Sequence, residues 1–439
     1  MNLDVIGEWR RTHYSVDVKP EKDGEEVTLF GWVQEIRDLG GIRFVILQDR
    51  EGTVQVTIPR EKVSGEVLSK SEALQKRYSI GVRGLVKKTE MTARGVEVIP
   101  KEIKIFNTSE LPLPLDITGK TPASLEVRLD ARALDLCRKE NIAVFKIQHT
   151  AVEAIREFLF ERDFIEVHTP RIIASATEGG AALFSVDYFK RKAFLAQSPQ
   201  LYKEQLVMSL EKVFEVGPFF RAEESHTRRH LNEFVSVDIE QAFADAEDVM
   251  QLLERLMQHV CKIVNEKCKK ELTILKHNVE VPTVPFKRLT YDEILQDLKG
   301  EGVEIPWGED IPTNAFRTLG KIHPYFYFII DWPTRSKAFY IKPRDDNSEI
   351  CEGFDLMWRW MELASGGTRI ASKDLLIRRL KEKGLNPDSF KHHLQAFGYG
   401  MPPHAGWAIG LERLTMMLTG KKNIREVTLY PRDRFRLTP

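Results

Sequence analysis

Phe219-Phe220-Arg221-Ala222-Glu223-Glu224, continued by Arg228-Arg229-His230-Leu231-Asn232-Glu233-Phe234, is the stretch on which this chain turns. An arginine closing an apolar strand, a charged loop and a basic-aromatic return strand suit a polyphosphate. Guanidinium groups pair bidentately with phosphate oxygens, and an aromatic face stacks on a base. A solvated charged hairpin fits the same residues, so the reading depends on what accompanies it. Gly406-Trp407-Ala408-Ile409-Gly410-Leu411-Glu412-Arg413 reads as a strand-to-helix turn whose glycines admit a ligand, with Arg413 one turn into the helix. Phe354-Asp355 and Glu362-Leu363-Ala364-Ser365-Gly366-Gly367-Thr368-Arg369 add two carboxylates, Asp355 and Glu362, which are either hard oxygen ligands for Mg²⁺ or ordinary surface acids.

The N-terminal quarter has a different period. Val27–Val33, Arg43–Asp49 and Thr53–Ile58 alternate as short strands punctuated by Gly40-Gly41 and Arg50-Glu51-Gly52. A helical stretch over Ser64–Gln75 follows, then strands over Ser79–Val86 and Val96–Phe106. Five strands with a helix after the third predict an OB-type barrel, with another small barrel or a sandwich as the alternative. Leu111-Pro112-Leu113-Pro114 and Thr121-Pro122 predict an extended linker over 109–128, between domains at 1–108 and 129–439. From Asn141 the period is helical, with Phe145, Val152, Ile155 and Leu159 on one face, before a strand over Phe164–His168 and then Thr169-Pro170. Tyr325–Ile330 reads as a buried strand. No G-x-G-x-x-G after a first strand and no G-x-x-x-x-G-K-[ST] is present, which argues against Rossmann and P-loop nucleotide sites.

A length of 439 residues allows about two or three domains. With 42% hydrophobic and 30% charged residues, the composition is that of a globular chain. No apolar run reaches the roughly 18 residues of a membrane span. Met1–Asp4 lacks a signal-peptide pattern, and four cysteines without paired zinc spacing point to a reducing cytoplasm and no structural zinc. Lys+Arg and Asp+Glu are 65 each, which excludes a uniformly basic nucleic-acid coat but not a local basic patch.

In order along the chain, these segments resemble the three motifs of class II aminoacyl-tRNA synthetases: the helix-strand ending at Pro170, Arg221-x-Glu223 to Phe234, and Gly406 to Arg413. Thr177-Glu178-Gly179-Gly180 and Gln197-Ser198-Pro199-Gln200-Leu201-Tyr202-Lys203 look like the amino-acid pocket of aspartyl-tRNA synthetases. Arg11-Thr12-His13-Tyr14, Gly31-Trp32-Val33 and the C-terminal Pro431–Pro439 are similar to the archaeal-type branch.

The resemblance implies an OB-fold anticodon-binding barrel and an α+β catalytic domain built on an antiparallel sheet. It implies a ligase that joins L-aspartate to ATP as aspartyl-adenylate and then to tRNA-Asp. The catalytic residues would be Arg221, Glu223 and Arg413. ATP would meet Arg221, Ala222, Glu223, Arg229, His230, Leu231, Phe234, Glu362 and Gly410 to Arg413, including Leu411 and Glu412, with adenine between Phe234 and Arg413. Aspartate would meet Glu178, Gln200, Lys203, Arg221, Asp238, Ser365 and Arg369. Lys203 would favour aspartate because asparagine's amide would leave its charge unpaired. Asp355, Glu362 and Ser365 would hold Mg²⁺.

In the barrel, Phe44 either stacks on an anticodon base or packs in the core, and Arg83, Lys87, Lys88 and Arg94 supply positive charge. Strict archaeal enzymes tend to carry Trp and Lys at the positions of Gln34 and Ala93, and relaxed ones His and Pro. This chain has neither pair, so the resemblance allows tRNA-Asp alone or tRNA-Asn as well, the second requiring an amidotransferase to complete Asn-tRNA-Asn. Departures from the usual pattern are Thr368, Ile370-Ala371-Ser372-Lys373 and Ser225-His226. A homodimer through the Pro170 segment is expected. The alternatives are an asparaginyl-tRNA synthetase and a non-catalytic tRNA-binding paralogue.

Overall fold

The computed structural model describes residues 3–174, 183–224 and 227–439. The chain divides into two compact units, 1–142 and 143–439. This division falls downstream of the proline-rich segment.

The first unit is a closed barrel of strands β1 (Glu26–Asp38), β2 (Ile42–Gln48), β3 (Thr53–Pro59), β4 (Ser79–Lys88) and β5 (Val96–Asn107), in the order β1-β2-β3-β5-β4. Alternation sends Val27, Leu29, Val45, Leu47, Val54 and Val56 inward, where they are buried with Val82 and Val98. Helix α1 (Gly65–Ala73) follows β3, and its first turn is capped by Ser64, whose side chain accepts the Val67 N–H. No helix or strand lies between Asn107 and Leu125. Then α2 (Leu125–Asp130) and α3 (Arg132–Asp135) group with the barrel, so regular structure begins within the segment expected to be extended.

The second unit opens with α4 (Lys139–Phe160) and the short strands β6 (Ile165–Glu166), β7 (Ile172–Ile173), β8 (Ser185–Tyr188) and β9 (Arg191–Leu195). Helix α5 (Gln200–Leu210) leads to the hairpin β10 (Lys212–Phe220) and β11 (Glu233–Ala242). Helices α6 (Ala246–Lys267) and α7 (Lys269–Leu275) come before β12 (Lys287–Thr290), α8 (Tyr291–Gly300), α9 (Thr313–Ile322) and β13 (Phe326–Ile330). The chain ends with β14 (Gly353–Trp358), β15 (Met361–Thr368), α10 (Lys373–Glu382), α11 (Lys391–Ala396), β16 (His404–Gly410) and α12 (Leu411–Thr419).

Among the described residues the main sheet has eight strands in the order β12-β13-β14-β15-β16-β11-β10-β6. Its six central strands are antiparallel neighbours, but both edges are parallel pairs, β12 with β13 and β6 with β10. The sheet is thus built on the expected antiparallel core, with a parallel strand added at each edge. Helices α4, α6 and α12 bury one of its faces under Val144, Ile147, Leu253, Met257 and Leu414.

The buried stripe of α4 is offset from the one expected. Val144, Ile147, Ala151, Ile155, Phe158 and Leu159 are buried, while Phe145 and Val152 are only half-buried beside it. Of the expected 164–168 strand, Ile165 and Glu166 pair with the sheet and the Val167 N–H donates to the Phe214 carbonyl at 2.8 Å.

Candidate active site

Strand β16 runs straight into α12 with Gly410 at the helix start, and the β10–β11 hairpin lies beside it through an unbroken antiparallel register, Ser236 opposite Gly410 and Glu240 opposite Gly406. A Cβ at Gly406 would press into the Glu240 carboxylate, at 2.7 Å from its Cδ, so this glycine makes room for a buried acid. The uncovered face of these strands carries a pocket of about 330 Å³.

The pocket brings together most of the residues singled out above. Gln200 and Lys203 reach it from α5. Arg221 and Glu223 come from the end of β10, and Arg229, His230, Leu231 and Phe234 from the return of the hairpin. Asp238 stands on β11, Glu362 and Ser365 on β15 and Arg369 just past its end. Gly410, Glu412 and Arg413 close the far wall. Ala222 and Leu411 do not line it. Glu178, with Thr177, Gly179 and Gly180, lies outside the described residues, as do Ser225 and His226.

The hairpin is held shut by backbone and amide bonds. Arg221 N–H donates to the Asn232 carbonyl at 2.9 Å, and Asn232 Nδ2 donates to the carbonyls of Arg221 and Glu223 at 2.7 and 3.0 Å. This holds the Arg221 guanidinium 5.3 Å from the Phe234 ring centroid. Arg229 lies 4.8 Å from the Trp360 ring and donates to Thr313 Oγ1 at 2.8 Å. Arg413 donates to the Glu362 carbonyl at 3.0 Å and is 3.6 Å from that residue's carboxylate. Burial, then the Arg413 charge, lowers both the Arg229 guanidinium and the His230 imidazole below their ordinary pKa values. Each cation is disfavoured by the next, so this end of the pocket is built to receive an anion.

The other end holds paired buried charges. Lys203 Nζ lies 3.0 Å from Asp238 Oδ1 and 3.3 Å from Glu240 Oε2. Arg369 Nε donates to Glu240 Oε1 at 2.9 Å, Nη2 lies 3.3 Å from Oε2, and the guanidinium lies 5.3 Å from the Tyr340 ring. Lys203 is held by Asp238 and Glu240, and Asp238 accepts from Lys203 and from the Ser236 hydroxyl; Lys203, Asp238 and Arg369 all line this end of the pocket. Glu240 was missed in the sequence, although Ser236, Asp238 and Glu240 alternate on one face of β11 and carry a readable signal.

Of the expected Mg²⁺ ligands, Glu362 and Ser365 line the pocket and Asp355 is buried. A register shift after Leu356 pairs Glu362 with Met357, while Ser365 stands opposite Asp355 and hydrogen-bonds it, and burial together with the Glu362 charge raises the Asp355 pKa. Asp355 is buried and both its oxygens accept from Lys337 Nζ, at 2.7 and 2.6 Å. Among the described residues no three His, Cys, Asp or Glu side chains form a metal cage. Glu362 and Ser365 line the pocket beside the anion-receiving end, which suits a cation held by one carboxylate together with a ligand's phosphates.

In the barrel, Phe44 alternates with the inward Val45 and Leu47 and stands half-buried on the outer face. The core alternative is thereby excluded. Beside it Thr57 Oγ1 and Gln55 Nε2 donate to the buried Glu97 carboxylate at 2.6 and 3.3 Å, a cluster not anticipated from the sequence. A register shift between Val33 and Glu35 makes Gln34 the extra residue of a bulge. Ala93 is exposed in the turn closed by Thr89 N–H to the Gly95 carbonyl. Two of the four expected free cations are committed. Arg83 donates to Glu102 at 3.1 Å and lies 4.4 Å from the Trp9 ring, and Arg94 donates to the carbonyls of Ser15, Thr53, Val16 and Val18.

Comparison with known proteins agrees with this geometry. A family model described as tRNA synthetases class II (D, K and N) matches residues 124–434, and one described as OB-fold nucleic acid binding domain matches residues 27–106. Aspartate--tRNA(Asp/Asn) ligase of Methanopyrus kandleri is 55% identical over 97% of this chain and 99% of its own length. The protein of the same name from Archaeoglobus fulgidus is 52% identical over 97% and 99%. Among solved structures, asparaginyl-tRNA synthetase from Pyrococcus horikoshii complexed with asparaginyl-adenylate superposes with a TM-score of 0.92 at 33% identity, covering 98% of this chain and 100% of that one. By sequence over its length and by fold, the chain belongs to the class II tRNA synthetases of the D, K and N group.

Proposed function

We propose that the chain is an aspartate–tRNA ligase that charges both tRNA-Asp and tRNA-Asn. The observation that carries this is one pocket with a cationic, anion-receiving end at Arg221, Arg229 and Arg413 and a buried charged end at Arg369 and Lys203. Relatives at about half identity over nearly their full length, named aspartate--tRNA(Asp/Asn) ligases, support it. In the first step a substrate carboxylate oxygen attacks the α-phosphorus of ATP and pyrophosphate leaves. In the second, a terminal ribose hydroxyl of tRNA attacks the activated carbonyl, forming the ester and releasing AMP.

No protein nucleophile is required. Arg221 offsets charge developing at the α-phosphate, Arg229 holds ATP through its phosphates, and adenine lies between Phe234 and Arg413. Mg²⁺ held by Glu362 and Ser365 would neutralise phosphate charge. Arg369, oriented by Glu240, reads the aspartate side-chain carboxylate. The barrel of residues 1–108, joined through 109–128 to the catalytic part at 129–439, binds the anticodon, with Phe44 stacking on a base beside Glu97. A tRNA-dependent amidotransferase acts on the Asp-tRNA-Asn product. Two copies pair through α4 and the open β6 edge, where Phe160 and Ile165 are 53% and 46% exposed.

ATP–pyrophosphate exchange with aspartate and with asparagine tests the reading. Exchange driven by aspartate and not by asparagine supports it, and the reverse supports an asparaginyl enzyme.

A further inference from the structure

Behind the amino-acid end of the pocket lies a cluster of buried titratable groups that the proposed chemistry does not use. Glu204 on α5 is fully buried, with Oε1 accepting from Gln200 Nε2 at 2.5 Å. Its Oε2 faces His393 Nε2 at 3.4 Å and His404 Nε2 at 3.8 Å. These three atoms have no hydrogen-bond partner of ordinary geometry, so what they face is one another.

An ionised carboxylate only accepts. His393 can meet it while neutral. Its Nδ1 is 3.4 Å from Gln205 Nε2 and 3.2 Å from the Leu201 carbonyl, which already accepts from Gln205 Nε2 at 2.5 Å; accepting from the amide leaves Nε2–H for Glu204. His404 has no such route. Its Nδ1 is 2.8 Å from the Pro402 carbonyl, an acceptor only, so that nitrogen carries the ring proton. A neutral His404 would then turn a bare Nε2 lone pair toward a buried carboxylate, and the imidazolium removes that conflict. Burial alone would lower the His404 pKa. The Glu204 carboxylate, with Glu240 behind it, raises it above the ordinary imidazole value. The remaining charges near the cluster, Arg369 and Lys203, are both bound to Glu240.

We infer that Glu204 and His404 are positioning residues for the amino-acid pocket: a buried imidazolium–carboxylate pair that fixes the Gln200 amide with its N–H toward Glu204 and its carbonyl oxygen toward the substrate. Gln200 lines the pocket and Glu204 does not. The His404 carbonyl also accepts the Arg369 backbone N–H at 2.8 Å, so one residue steadies both substrate contacts. As His404 loses its proton, Glu204 faces a lone pair, its hold on Gln200 is lost, and amino-acid affinity falls. The inference rests on the reading that this pocket takes the amino acid.

Aspartate-dependent ATP–pyrophosphate exchange by the full chain, measured from about pH 6.5 to about pH 8.5, is the test. For the wild type, the aspartate KM rises roughly tenfold across that range, the loss of one charge-assisted hydrogen bond, while the ATP KM stays level. In His404→Gln a neutral amide donates to Glu204, and the aspartate KM becomes independent of pH. Should that variant not fold, Glu204→Gln removes the carboxylate and also gives a level aspartate KM, raised over the wild type at neutral pH. A wild-type aspartate KM that does not change with pH, or a folded variant that keeps the wild-type slope, overturns the positioning role while leaving the pocket's reading intact. Absence of aspartate-driven exchange at every pH removes both.

Discussion

Lys203 Nζ stands 3.0 Å from Asp238 Oδ1 with both side chains buried, and the same ammonium lies 3.3 Å from Glu240. Glu240 also holds Arg369, so the two cations at the amino-acid end of the pocket share one buried carboxylate.

Lys203→Leu is expected to destabilise the protein rather than exchange its substrate preference. The substitution leaves Asp238 and Glu240 buried with one cation fewer, a change that costs about 3–5 kcal/mol when a buried pair is broken. Denaturant unfolding would register that loss. A variant of unchanged stability that accepts asparagine would return the selectivity role to Lys203.

Arg221→Ala is expected to lower ATP–pyrophosphate exchange by at least roughly 100-fold, the usual effect of removing one donor from a developing oxyanion. Binding of tRNA to the full chain should stay near the wild-type level, since Arg221 lies in the pocket and the residue proposed to stack on a base, Phe44, lies on the barrel. Exchange within tenfold of wild type would remove Arg221 from the transition state.

Glu412 predicts a pH-dependent stability. Its buried carboxyl accepts the Val235 N–H at 2.9 Å, and burial pushes its pKa from 4.5 up to about 7. Between those values the native state binds more protons than the unfolded chain, so this residue's contribution to stability falls as pH rises through the interval and stays low above it. The interval corresponds to about 3 kcal/mol. Glu412→Gln keeps an acceptor for Val235 and does not titrate. Its Tm should exceed that of the wild type at pH 8 by more than it does at pH 5, and equal differences at both pH values would count against it.

The β6 edge predicts a dimer. Light scattering at micromolar concentration should return twice the chain mass, and Ile165→Glu should shift it toward the monomer. A wild-type monomer would exclude the interface.

Charging of tRNA-Asn is expected within one hundredth of the tRNA-Asp efficiency, which corresponds to less than about 2.7 kcal/mol of discrimination. Arg94, the donor nearest Ala93 in sequence, is committed to four backbone carbonyls, which leaves Gln34 on its bulge as the remaining candidate to read the third anticodon base. A steeper preference in aminoacylation of purified tRNAs would show that Gln34 discriminates.

The sequence by itself determined the barrel, the hairpin and the strand-to-helix turn, because each is a local pattern: alternation in Val27–Val33, the glycines of 406–410, and Arg221 closing an apolar strand. Tertiary structure decided which charges are available. Lys203, Asp355 and Arg94 each looked free in one dimension, and each is answered by a group from elsewhere in the chain: Asp238 and Glu240 for the first, Lys337 for the second, the carbonyls of Ser15, Val16, Val18 and Thr53 for the third. The Glu204–His404 pair joins residues 200 positions apart and left no trace in spacing. Burial removes water from such groups, so each buried charge needs a partner, and which residue supplies it depends on how the sheet brings distant strands and helices together.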